Sequence, residues 1–317
     1  MNRWKMKAKI LCVLAGLFLL GITANLVLAQ GPPINTNTAF VIGLEGAAIR
    51  SFGRVVRKSN LFADGEKITD ALDREVTVFA LPVMLPYEVI PNRLVVIGAL
   101  PYLDKEMKLT KDGNRQSRGD SGVGDLKLLG KYQFLQKDTK RSSFRMTFLG
   151  GVKLPTGNDD AKDATGPLPS PLQLGSGSFD FFGGPIATFV RNRLGINAEV
   201  NFKKNTEAND YQFGDTLSVN IALGYRIFPQ VYEIYPSPYS TAYLELLSAF
   251  SGKDRKNGVD LEDTGGDVVF LSPGIQYVFS RTLLAEASFQ FPIFEDLNGT
   301  QLGTDFSFNV GMRWLIY

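Results

Sequence analysis

The stretch Gly119–Phe134, GDSGVGDLKLLGKYQF, admits two readings with opposite consequences. Its first half has the glycine spacing of a phosphate cradle. Its second half nearly alternates polar and apolar residues, as a β-strand does. A phosphate loop needs G-x-x-x-x-G-K-[ST] and a following helix whose N-terminus faces the anion. Here Gly124 is followed by Asp125, a carboxylate that repels phosphate, and the residues beyond keep a period of two. Asp125, Lys127, Lys131 and Gln133 oppose Leu126, Leu128, Gly130, Tyr132 and Phe134. Successive strand side chains point to opposite faces, so the stretch reads as the entrance to a two-faced strand. Its glycines would let the sheet bend there. Gly175–Phe189, GSGSFDFFGGPIATF, repeats the pattern after another long polar segment.

The same alternation recurs along the chain. In GINAEVNFK, Ile196, Ala198, Val200 and Phe202 oppose Asn197, Glu199, Asn201 and Lys203. In DTLSVNIALGYRI, Leu217, Val219, Ile221, Leu223, Tyr225 and Ile227 oppose a face ending in Arg226. The last run sets Phe306, Phe308, Val310, Met312, Trp314 and Ile316 against Asp305, Ser307, Asn309 and Arg313. Twelve such runs begin near residues 38, 72, 93, 119, 142, 175, 193, 213, 238, 266, 282 and 302. They exceed the five or six residues usual in soluble sheets. They suit membrane strands, which need roughly 9–11 residues and alternate apolar-out with polar-in. Connections after even-numbered runs are mostly short, such as RN and SR. Those after odd-numbered runs are mostly longer, including Ser51–Ala71, Asp104–Arg118, Thr156–Leu174 and Gly252–Gly265. The expected fold is therefore all-β: a single transmembrane, antiparallel, up-and-down β-barrel of about 12 strands, with both termini on the short-turn side. Within it, Gly53–Asp70 has room for a short helix or an extra strand.

The first 29 residues carry Arg3, Lys5, Lys7 and Lys9, an apolar run from Ile10, and small residues at Val27 and Ala29. This predicts a secretory signal peptide at 1–29 and a barrel at 30–317. The leader holds four basic and no acidic residues, which leaves 30 basic against 32 acidic in the remainder. The basic balance belongs to the leader, so nothing points to nucleic acid. Cys12 leaves with it, so the mature chain has no disulfide or cysteine chemistry.

The absence of histidine removes the Ser-His-Asp triad and histidine-ligated metals. Neither acidic loop, Asn158–Asp163 or Asp260–Asp267, has calcium-loop spacing. No cofactor or metal is expected. The charges fall singly on polar strand faces, and Asp125, Lys127, Lys131, Arg145, Lys153, Glu199, Lys203, Arg226, Glu245, Glu286, Asp305 and Arg313 are the expected pore-lining residues. Tyr132, Phe134, Phe228, Tyr232, Tyr235, Tyr239, Tyr277, Phe279 and Trp314 cluster near the short-turn side, as an aromatic girdle would.

Four segments together resemble a known family: PNRLVVIGALPYLDKEM, GDSGVGDLKLLGKYQFL, GGVKLPTGND and GSGSFDFFGGPIATF. The resemblance is to outer-membrane proteins named for the meta-cleavage pathway of phenol degradation, over roughly residues 70–317. It implies an outer-membrane barrel, often described as a transporter of aromatic or other hydrophobic compounds. The expectation is a channel in a Gram-negative-type outer membrane that passes small solutes by diffusion through a narrow lumen. Membrane lipid, a small-molecule solute and the barrel-assembly machinery are the expected partners, with the protein a monomer or small homo-oligomer. The alternatives are a non-conducting structural or adhesive barrel, a lipid-acting enzyme using Ser176, Ser178 and Asp180, and a soluble exported sandwich.

Overall fold

A computed structural model describes residues 31–41, 46–231 and 237–316. The expected leader, Tyr232, Tyr235 and Tyr317 lie outside the described residues. Twelve long strands follow one another: β1 (Ala47–Ala63), β2 (Glu75–Ile90), β3 (Leu94–Lys111), β4 (Lys127–Asp138), β5 (Ser142–Lys153) and β6 (Asp180–Arg191). They continue as β7 (Leu194–Lys204), β8 (Thr216–Phe228), β9 (Tyr239–Ser251), β10 (Gly266–Val278), β11 (Leu283–Leu297) and β12 (Thr300–Ile316). Each pairs antiparallel with the next, and β1 pairs with both β2 and β12, which closes the barrel. Closure leaves no strand edge, the condition for a sheet to sit in lipid.

The wall is inverted relative to a soluble protein. On β12, Val310, Met312 and Trp314 are 50%, 59% and 57% exposed, whereas Ser307 and Asn309 are 1% and 3% exposed. Leu85, Tyr87, Phe148, Phe181, Ile275 and Ile293 are also exposed, around the whole circumference. Each would gain roughly 1.5–3 kcal/mol on leaving water. Such a surface requires lipid, which removes the soluble-sandwich alternative. No helix among the described residues is long and apolar enough to cross a membrane; the strands cross it.

Turns of two to four residues follow β2, β4, β6 and β10, while ten residues separate β8 from β9. Asn92 and Asn192 take left-handed φ values of 58°, which asparagine tolerates. On the other side the loops carry structure of their own. A strand at Asn114–Val123 pairs with β3 and lengthens the wall. Short strands at Glu207–Ala208, Tyr211–Gln212, Arg255–Lys256 and Val259–Asp260 form a four-stranded sheet from the loops after β7 and β9. The last connection is only Asn298–Gly299, shorter than the odd-even pattern predicts.

The expected first strand is corrected. Residues 31–41 are not in the wall, and β1 begins at Ala47 and runs to Ala63, well into the segment Ser51–Ala71 expected as a loop. The stretch Asn35–Thr38 is polar on both faces and has no side to offer lipid. Of the four charges in residues 50–58, Arg50, Arg54 and Lys58 fall every fourth residue and share one face of the strand, while Arg57 falls on the other. The opening stretch is also divided differently: Gly119–Val123 belongs to the added hairpin arm, residues 124–126 break, and β4 starts at Lys127.

Candidate functional site

Residues 31–41 cross the barrel interior as an irregular crossbar. Glu245, fully buried on β9, accepts backbone N–H bonds from Ile34 (3.1 Å), Asn35 (3.0 Å) and Thr36 (2.7 Å). Three successive N–H groups around one carboxylate form an anion-binding nest. Glu199 on β7 accepts the N–H and side-chain amide of Asn37 at 3.0 and 2.7 Å. Thr188 on β6 accepts the Ala39 N–H at 2.7 Å. The Asn35 amide donates to Ser272 (3.0 Å) and Ser288 (3.2 Å), and its oxygen accepts from Gln290 (2.7 Å) and Asn309 (2.8 Å).

The crossbar carbonyls are met by cations and hydroxyls. Tyr243 donates to Gly31 at 2.6 Å, Gln276 to Pro32 at 3.1 Å, and Lys131 to Thr38 at 3.0 Å. Arg50 and Arg313 donate to Ile34 and Pro33. The same two arginines flank buried Glu286 at 2.9 and 2.7 Å, so one carboxylate aims both at the crossbar. Arg145 stands over the Phe40 ring at 4.9 Å and pairs with Asp138 at 3.1 Å. Buried polar groups are costly unless bonded, and these bonds draw on eight strands, with Arg145 of a ninth over the Phe40 ring.

A second cluster lies in the outer half. Asp125 accepts the N–H groups of Thr156 (3.1 Å), Gly157 (2.9 Å) and Ser176 (3.1 Å), and pairs with Lys153 at 3.0 Å. It thereby ties together three of the glycine-rich segments singled out in the sequence. Gly175 and Gly157 touch backbone to backbone; a Cβ on Gly175 would lie 2.3 Å from the Gly157 carbonyl oxygen. The glycines serve close approach there, rather than the bending of a wall. Lys153 also meets Asp180 at 2.7 Å, and Lys203 reaches Asp180 at 3.3 Å. Lys127 and Lys203 both stand over the Phe182 ring, at 5.5 and 5.9 Å.

The twelve expected residues thus divide by place. Lys131, Arg145, Glu199, Glu245, Glu286 and Arg313 surround the crossbar. Asp125, Lys127, Lys153 and Lys203 form the outer cluster. Arg226 is buried near the short-turn end, where its carbonyl accepts from Arg193 at 2.8 Å. Asp305 stands apart from both groups. It falls at a bulge where the β1–β12 register slips, and it bonds Ser59 and Asn60, each at 2.7 Å, away from the crossbar. Arg50 was missed because it stood at the edge of a supposed loop. The neutral partners Ser272, Ser288, Gln290 and Asn309 lay on polar faces but carried no charge to mark them.

Two cavities bear on the path through the barrel. One of about 610 Å³ opens toward the short turns, lined by crossbar residues together with Met84, Pro86, Val95, Ile97 and Leu283. The other, about 310 Å³, lies at the outer mouth and includes Lys203, Phe213 and Gln301; no crossbar residue lines it.

Comparison with solved structures finds an outer membrane channel from Pseudomonas putida F1 at a TM-score of 0.68 and 13% identity, covering 90% of this chain and 100% of that one. The β domain of the Bordetella autotransporter BrkA gives 0.44 at 13% identity over 85% and 99% of the two chains. The monoaromatic hydrocarbon channel CymD gives 0.41 at 10% identity over 86% and 89%. At these identities the first likeness bears on the fold, and the other two are too loose to add to it. No curated protein matches. A family profile matches residues 62–310, nearly the whole wall. On that match the chain belongs to the family described as "Putative MetA-pathway of phenol degradation".

Proposed function

We propose that the protein is an outer-membrane channel that passes small, aromatic or otherwise hydrophobic solutes by passive diffusion. The carrying observation is the crossbar, bonded to the inner face of the wall, with a cavity of about 610 Å³ beside it on the short-turn side and another of about 310 Å³ near the outer loops. Eight-stranded barrels have filled interiors and those of sixteen to eighteen strands have open aqueous pores. Twelve strands with an internal segment suit a path for small molecules only. The lining of Met84, Pro86, Val95, Ile97 and Leu283 offers apolar contact along one side of that path. Membership in a family named for phenol degradation and likeness to an outer membrane channel support the same reading. We read no enzymatic role: the serines and aspartate once weighed for lipid chemistry, Ser176, Ser178 and Asp180, are engaged with one another and with Lys153.

The rival is a non-conducting barrel that displays its outer loops, a reading favoured by the ordered four-stranded sheet in those loops. Proteoliposome swelling with solutes graded by size separates the two. Permeation of small solutes with exclusion of larger ones is expected. No swelling beyond empty vesicles with any solute would favour the display barrel.

A further inference from the structure

We propose that the outer half of the lumen binds aromatic anions, molecules that join a carboxylate or phenolate to a ring, at a site made by Lys127, Lys203 and Phe182. The proposal rests on the channel reading and names its solute class.

The charge balance at this level is uneven. Two aspartates, Asp125 and Asp180, face three ammonium groups. Lys153 is nearly buried and satisfied by both aspartates, at 3.0 and 2.7 Å. Lys203 keeps a longer contact of 3.3 Å to Asp180. Lys127 has no carboxylate within ion-pair distance among the described residues, and its side chain is exposed. It also stands directly opposite Lys153 across β4 and β5, a like-charge pair that costs stability. A purely structural wall would gain from a neutral residue at position 127.

Phe182 is equally out of place. Its neighbour Phe181 faces lipid, 53% exposed, so Phe182 turns inward among polar side chains. Both ammonium groups stand within 6 Å of its ring. An anion entering between them would give Lys127 the counter-ion it lacks, through a charge-assisted bond. The ring attached to that anion would lie along Phe182, where aromatic pairs gain in offset or edge geometry. A small inorganic anion leaves the ring unused, and a neutral aromatic leaves Lys127 uncompensated. Lys105, held by the carbonyls of Pro171 and Gln173, adds positive charge on the same side.

Isothermal titration of the detergent-solubilised barrel with benzoate, benzyl alcohol and acetate tests this without requiring conduction. Benzoate should bind most tightly. Lys127→Met should weaken benzoate at least ten-fold, Lys127→Arg should restore it, and Phe182→Leu should weaken benzoate while leaving acetate unchanged. Equal benzoate affinity in the native chain and Lys127→Met, or no saturable benzoate binding by the native chain, would overturn the site. A barrel that binds benzoate yet conducts no solute would instead overturn the channel reading and leave the site standing.

Discussion

Glu245 is the residue on which the interior turns. Replacing it by alanine orphans the N–H groups of Ile34, Asn35 and Thr36, each at a penalty of roughly 1–3 kcal/mol if they stay buried. Residues 34–36 should then detach from β9, which keeps only the Tyr243 bond to Gly31, and limited proteolysis should cut within residues 31–41 where the native chain resists. Persistent protection would show that the other strands hold the segment without Glu245. Asp125 has the parallel role outside: Asp125→Ala should loosen residues 154–179 and expose them to protease. Neither role could be read from sequence. The alternation places both carboxylates on the polar face, but it does not say whether the partner there is water, a solute or another part of the chain. The outer loop also gives a pH expectation. Hydrogen bonds from Arg118 and Thr165 hold the Asp163 carboxyl well below the usual carboxylate range. A lowered folded pKa means the contribution is full above the unfolded value near 3.9 and fades only as pH falls through the folded value. Protection of the loop against protease should therefore be the same at pH 8 and pH 5; loss by pH 5 would show that this clamp does not hold it.

At the scale of the strand, period-two alternation located eleven of the twelve wall strands, because one face must meet lipid and the other must not. It failed for the first. Arg50, Arg54 and Lys58 concentrate charge in β1, and a charged segment next to a glycine resembles a loop until their shared face is noticed. The polar segment before it alternates just enough to resemble a strand, although it lacks an apolar face. The lipid-facing rows make a direct prediction. Val310→Arg, half-exposed near the middle of β12, should destabilise the barrel by about 2–4 kcal/mol in lipid. Val310→Leu should have little effect. Reversible urea unfolding in bilayers measures both, and an equal stability for Arg and Leu would mean that Val310 does not face lipid.

For the whole molecule, the number of strands, most of the short and long connections and the membrane setting were legible in the sequence, since each follows from a periodic or topological constraint. The contents of the lumen were not, because they depend on contacts between residues as far apart as Asn35 and Asn309. A conducting barrel narrowed by residues 31–41 should conduct more once they are removed. Single-channel recording of the refolded protein, with and without residues 31–41, tests it most directly. The native chain should give small discrete openings, and the shortened chain should fold and conduct at least several-fold more. Absence of conductance in both folded forms would contradict the account.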